Sequence, residues 1–189
     1  MAAPDSTAAP ARRPEPTRAA SRYVILASAS GCGKTTTGRA LAERLGLPFV
    51  ELDSLVHGPG WTETPDDELR RLVEPLLAEP GWVVDGSYSR KLGSMVLDAA
   101  DMVVWLDLPI RVWLPRLVRR TARRISLREE LWNGNRETLR GAVWGRESLF
   151  VWAFRSHVRR RRSYPRTLAP YDVVRLRTPD EVKRWLQSA

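Results

Sequence analysis

At 189 residues the chain is sized for one ordinary domain, and 31 Lys plus Arg against 22 Asp plus Glu leave it a formal +9. Hydrophobic residues at 43% and charged ones at 28% suit a soluble globular core and exclude wholesale disorder, a fibre or a solenoid. No apolar run reaches the roughly 18 to 20 residues of a membrane span, and a single cysteine, Cys32, excludes an internal disulfide, so a cytoplasmic protein without a membrane partner is expected.

Residues 1–21 hold four prolines and, after Met1, nothing aliphatic larger than alanine, which predicts a disordered tail. They lack the apolar stretch of about 7 to 15 residues that a secretory signal needs. Thereafter short apolar runs alternate with amphipathic ones. Residues 23–27 read as a buried strand, Lys34–Leu45 as a helix stopped by Gly46, and residues 49–52 as a second strand. Thr64, Pro65 and Asp67 predict a capped helix over residues 65–78, bent at Pro75. Strands follow at 82–84, Met102–Leu106 and 172–176, with a long basic helix from about Ile110. Thr178, Pro179 and Glu181 cap a last helix, whose Val182 and Trp185 would pack on the sheet.

Strands alternating with helices predict an α/β fold with a parallel sheet covered on both faces. Ligands in such sheets bind beyond the carboxyl ends of the strands. Ser28 to Thr35, Asp53, Asp85, Asp107 and Thr178 each follow one of the five strands.

The segment Ser28-Ala29-Ser30-Gly31-Cys32-Gly33-Lys34-Thr35-Thr36 joins the first strand to the first helix. Glycines there let backbone N–H groups converge on one anion, the helix terminus adds its dipole, and a lysine reaches the outer phosphates. Ser30 to Thr36, with Gly31, Cys32, Gly33 and Lys34 between, are therefore the expected nucleotide-phosphate ligands, with Thr35 on Mg²⁺. Ser28 stands where the usual pattern opens with glycine. Cys32 is read as a small side chain at a tolerant position.

That loop, with Glu51-Leu52-Asp53-Ser54-Leu55, Gly60-Trp61, Val84-Asp85-Gly86-Ser87-Tyr88-Ser89-Arg90 and Trp105-Leu106-Asp107-Leu108-Pro109, resembles the adenylate-kinase-like P-loop kinases, and among them the topology-modulation proteins. Leu131-Trp132-Asn133-Gly134-Asn135-Arg136-Glu137 is similar to the same group. The resemblance implies a P-loop NTPase three-layer fold, with a five-stranded parallel sheet in the order 2-3-1-4-5 and an Arg-rich helical lid over roughly residues 119–150. It implies ATP and Mg²⁺ as cofactors and phosphoryl transfer to a small molecule or nucleotide. By the same resemblance Asp53 orients an acceptor hydroxyl, Asp85 contacts Mg²⁺ through water, Arg90 touches a transferring or acceptor phosphate, and Arg177 and Thr178 frame the adenine. The bland alternatives are a turn-capping Asp53 and an Asp-Gly turn at Asp85, whereas Asp107 is read as a cap for the helix after Pro109.

The charge is concentrated: residues 111–166 hold 16 Arg and 4 Glu, or +12, leaving −3 for the rest. Arg116, Arg120 and Arg124 share one helical stripe, and Arg120 and Arg124 are the expected lid residues closing on phosphate. A solvated basic face is the alternative. Asn135, Arg136 and Glu137 would either bind the acceptor or stabilise the lid. Trp144, Phe150, Trp152 and Phe154 beside Arg155 and Arg159 to Arg162 are read as a helix packing its aromatic face. Stacking on single-stranded nucleic acid is the rival, as is a regulatory ATPase for the domain as a whole.

Overall fold

A computed structural model describes residues 21–138 and 148–189. The predicted tail, apart from Ser21, and residues 139–147 of the predicted lid, with Trp144, lie outside the described residues.

Five parallel strands, β1 (Arg22–Ala27), β2 (Phe49–Glu51), β3 (Trp82–Asp85), β4 (Met102–Leu106) and β5 (Val173–Leu176), form one sheet in the order β2-β3-β1-β4-β5. The register aligns Ile25 with Asp85, Glu51 with Asp85 and Ala27 with Leu106, so the loops that leave the carboxyl ends meet on one edge. β1 alternates strictly. Tyr23, Ile25 and Ala27 join a core with Leu41, Trp113 and Leu117, while Val24 and Leu26 join one with Leu69, Val73, Trp82 and Trp105. A strand buried on both faces reads as a continuous apolar run, which is why residues 23–27 are legible without periodicity.

The helices are α1 (Lys34–Leu45), α2 (Leu52–Val56), α3 (Asp66–Ala78), α4 (Ser89–Leu92), α5 (Met95–Asp98), α6 (Ile110–Ser126), α7 (Leu149–Thr167) and α8 (Pro179–Ser188). Gly46 ends α1 at φ 65°, its amide bonded to the carbonyls of Ala42 and Glu43. Thr178 caps α8 by accepting from the Glu181 amide at 3.1 Å, and Val182 and Trp185 pack on the core as the sequence predicts.

Three local expectations are corrected. β2 stops at Glu51, and Asp53 lies in the first turn of α2 rather than at a strand end. Leu52 and Val56, the two ends of that helix, are both fully buried, and its turn sets them on one face. α3 begins after Pro65, which takes the N-cap position with no side-chain cap bond, while the Thr64 hydroxyl donates to the Leu55 carbonyl at 2.6 Å; Asp66, Asp67 and Glu68 favour the helix start by charge instead. Pro75 lies inside α3, which runs on to Ala78 as expected. Asp107 does not cap α6, whose N-cap is Pro109; it is buried and spent on arginines.

α6 crosses directly beneath the glycine loop. A Cβ on Gly31, which has φ +87°, would sit 2.5 Å from the Trp113 carbonyl oxygen and 3.1 Å from the Leu117 side chain. Gly31→Ala is therefore expected to destabilise the protein by about 2 kcal/mol or more, since positive φ and overpacking act together; urea unfolding checks this.

Candidate phosphate and acceptor site

Ser28 leaves β1 with its amide on the Leu106 carbonyl at 3.0 Å, and its hydroxyl is enclosed. It donates to Asp107 Oδ1 at 2.8 Å and accepts from the Trp105 indole at 2.9 Å. Ser28 is not among the residues at positive φ, so nothing at this exit requires glycine, and the hydroxyl gains a buried network. Asp107 is held further by Arg161 at 3.0 Å and by Arg175 at 2.5 Å, the latter lying over the Trp105 ring at 4.1 Å. Arg160 donates to the Ala27 carbonyl at 3.0 Å. Three arginines of the basic chain thus anchor the carboxyl ends of β1 and β4.

Gly33, at φ 91°, begins α1, and its carbonyl accepts from Thr37 at 2.8 Å. Cys32 is buried, and burial pushes its thiol up, away from a reactive thiolate. Lys34 Nζ forms an ion pair with Asp85 Oδ1, and the Thr35 hydroxyl donates to Asp85 Oδ2 at 2.5 Å. Asp85 has no exposed surface, so its charge requires these partners. Ser30 and Thr36 remain reachable from solvent.

Among the described residues no group of three His, Cys, Asp or Glu could hold a metal alone. One hydroxyl and one carboxylate do fit Mg²⁺, which takes one or two protein oxygens and completes its shell with water and nucleotide oxygens. Thr35 and Asp85 supply that pair. Arg120 approaches from α6, donating to the Ser30 hydroxyl at 3.4 Å. Burial, then the neighbouring Arg124, pull its guanidinium pKa down, against Glu137 and Asp53, and its Nε is buried without a partner among the described residues. A phosphate oxygen at the loop would satisfy that donor.

Across from Lys34, the Tyr88 hydroxyl donates to Asp53 Oδ1 and lies 3.5 Å from His57 Nε2. His57 stacks edge-on against Trp61 at 5.6 Å and tilted against Trp132 at 6.0 Å. Asn135 clasps the two loops: it accepts from the Trp61 amide and donates to the Gly58 and Trp132 carbonyls, all within 2.9 Å. Asn133 donates to the His57 carbonyl at 2.6 Å. Trp61, Tyr88 and Asn133 are all at positive φ, so backbone strain gathers around His57.

The fold brings Ser30, Gly31, Cys32, Gly33, Lys34, Thr35, Asp85 and Arg120 together, with Asp53 beyond Tyr88. Arg124 is held on Glu137 at 2.7 Å instead of reaching the loop. Arg90 is exposed on α4 without a partner among the described residues, and Arg177 gives its amide to Glu181 at 2.6 Å, beside the cap at Thr178. The aromatic face of α7 is packed only in part: Phe150 joins the core, but Trp152 and Phe154 are 45% and 52% exposed. No role was expected of Tyr88 or His57, although Tyr88 stands inside the Val84-Asp85-Gly86-Ser87-Tyr88-Ser89-Arg90 motif and His57 just after Glu51-Leu52-Asp53-Ser54-Leu55.

A family model described as shikimate kinase matches residues 30–58, from the loop to the turn after Asp53. Shikimate kinase from Sulfurihydrogenibium sp. is 31% identical over 110 residues, covering 51% of this chain and 66% of that protein. The chain spans 60% of the Caulobacter vibrioides shikimate kinase it also matches. Among solved structures, shikimate kinase from Acinetobacter baumannii in complex with shikimate superposes with a TM-score of 0.55 at 19% identity, over 89% of this chain and 90% of that one. Deoxyadenosine kinase from M. mycoides with bound dATP superposes with a TM-score of 0.54 at 11% identity, over 88% and 95%. The fold is that of the P-loop kinases. No helix among the described residues is long and apolar enough to cross a membrane.

Proposed function

We propose that the protein is an ATP-dependent phosphotransferase that moves the γ-phosphoryl group of ATP to a hydroxyl of a small molecule. The observation that carries the reading is the convergence of Lys34 and Thr35 on buried Asp85, with the Asp53 carboxylate already bonded to a hydroxyl on the acceptor side. Lys34 and the loop amides bind the phosphates, and Arg120 adds charge where negative oxygens gather. Thr35 and Asp85 would hold Mg²⁺, which when bound neutralises phosphate charge and orients the transferring group. Asp53 orients the acceptor hydroxyl and takes its proton as the new P–O bond forms. A nucleoside monophosphate offers an acceptor oxygen that is already anionic and needs no base, so Asp53 favours an alcohol.

Shikimate, the acceptor of the kinases this chain is similar to, is the first candidate, followed by other polyols and nucleosides. The resemblance to topology-modulation proteins does not settle the substrate and leaves that order unchanged. Residues 22–189 act as one cytoplasmic kinase domain, with the segment around 119–150 as its lid, within which Arg124 pairs with Glu137. The test is ADP release by the purified protein with MgATP and each acceptor in turn. Acceptor-stimulated release is expected; a rate indifferent to every alcohol would contradict the reading and favour a regulatory ATPase.

A further inference from the structure

A kinase that carries its own base is exposed to a side reaction. With nucleotide bound and no acceptor present, Asp53 would take a proton from water as readily as from an alcohol: water oxygen bonds to the γ-phosphorus, the bond to ADP breaks, and ATP is hydrolysed. We propose that Tyr88 keeps water off Asp53, its phenol occupying the carboxylate until an acceptor hydroxyl displaces it, and so sets specificity for acceptor over water. The inference rests on the phosphotransfer reading above.

The placement is specific. The phenol donates to Asp53 Oδ1, the bond an acceptor alcohol would make, and its other neighbour is His57 Nε2 at 3.5 Å. The Tyr88 ring lies against Gly86: a Cβ there would be 3.8 Å from the ring and 3.3 Å from Lys34 Nζ, so the ring and the loop lysine flank one α-carbon. The phenol therefore stands on the acceptor side of the phosphate loop. Burial, followed by the charge of Asp53, drives its pKa far above the ordinary range, which keeps it a proton donor to Asp53 and not a competing nucleophile.

The backbone is arranged for this position at a cost. Tyr88 has φ 44° and ψ 43°, a left-handed conformation that a tyrosine rarely adopts, and it is held there by its carbonyl, which accepts from the Lys91 and Leu92 amides at 2.8 and 2.9 Å. Gly86 at φ 99° and Gly93 at φ 62° bracket Tyr88 and the four-residue α4, so the segment that must yield to an acceptor is short and flanked by glycine. A group held in strain at a site where displacement is required is what a substrate-gated device needs.

The experiment needs no knowledge of the acceptor. Phosphate release from MgATP without acceptor is measured for wild type, Tyr88→Phe, Tyr88→Asn and Asp53→Asn/Tyr88→Phe, with ATP binding followed in parallel. Asparagine tolerates positive φ, so Tyr88→Asn keeps the test available if the phenylalanine variant fails to fold. Hydrolysis is expected to rise about tenfold in both single variants, the order expected for one hydrogen bond to a charged group, and to return to the wild-type level or below in the double variant. Loss of structure cannot raise turnover. Unchanged or lower hydrolysis in both single variants, with ATP binding intact, would overturn the role of Tyr88 while leaving the kinase reading standing. A rise that survives Asp53→Asn would overturn the route through Asp53. Absence of ATP binding by the wild type would overturn the phosphotransfer reading itself.

Discussion

Lys34→Ala is expected to abolish measurable nucleotide binding at ordinary concentrations and to lower phosphoryl transfer by about 10²–10³-fold, the scale of losing one preorganised cation or donor at a transition-state oxygen. The substitution has a second consequence in this protein. Lys34 is the cation on Asp85 Oδ1, and Asp85 is fully buried, so removing the ammonium leaves a carboxylate with, among the described residues, only the Thr35 hydroxyl. Stability should fall as well, because an unpaired buried charge is costly. Lys34→Ala/Asp85→Asn separates the two effects: the melting temperature is expected to recover much of the loss, while nucleotide affinity stays abolished. Calorimetric titration with MgATP and thermal unfolding on the same samples check both halves.

Asp53→Asn is expected to keep ATP binding and lose acceptor-dependent turnover by about 10²–10⁴-fold, the range for removing a positioned general base. The amide is nearly isosteric and its oxygen can still accept from Tyr88, so the α2 turn should survive. The loss should therefore appear in kcat, with the KM for ATP little changed; steady-state kinetics with the best acceptor reads it. A large rise in KM for ATP instead would place Asp53 among the nucleotide ligands.

Much of this was legible locally. The strand, the glycines and the lysine of the first loop are contiguous, and the physics that makes them a phosphate cradle acts within nine residues, Ser28 to Thr36. The sheet order entered through resemblance, and the parallel topology and aligned carboxyl ends agree with it. Pairs made between distant segments were not legible. Tyr88 meets Asp53 across 35 residues, and Ser28 meets Asp107 across 79. The helical setting of Asp53 was hidden because a five-residue turn with buried Leu52 and Val56 looks like the end of a strand. The arginines show the same limit in another form. Spacing puts Arg120 and Arg124 on one stripe, but Glu137, supplied by a later loop, takes Arg124 while Arg120 reaches Ser30. Arg160, Arg161 and Arg175 look like part of a basic excess, yet buried acceptors at Asp107 and Ala27 give each a structural partner.

The most direct test of phosphotransfer is the fate of the γ-phosphoryl group. The protein is incubated with ATP labelled at the γ position, Mg²⁺ and a hydroxylated acceptor, and the label is followed by chromatography. The account requires label in an alkali-stable organic phosphate ester, with little inorganic phosphate, and its loss in Asp53→Asn. Label recovered only as inorganic phosphate, at the same rate with and without acceptor, would contradict it.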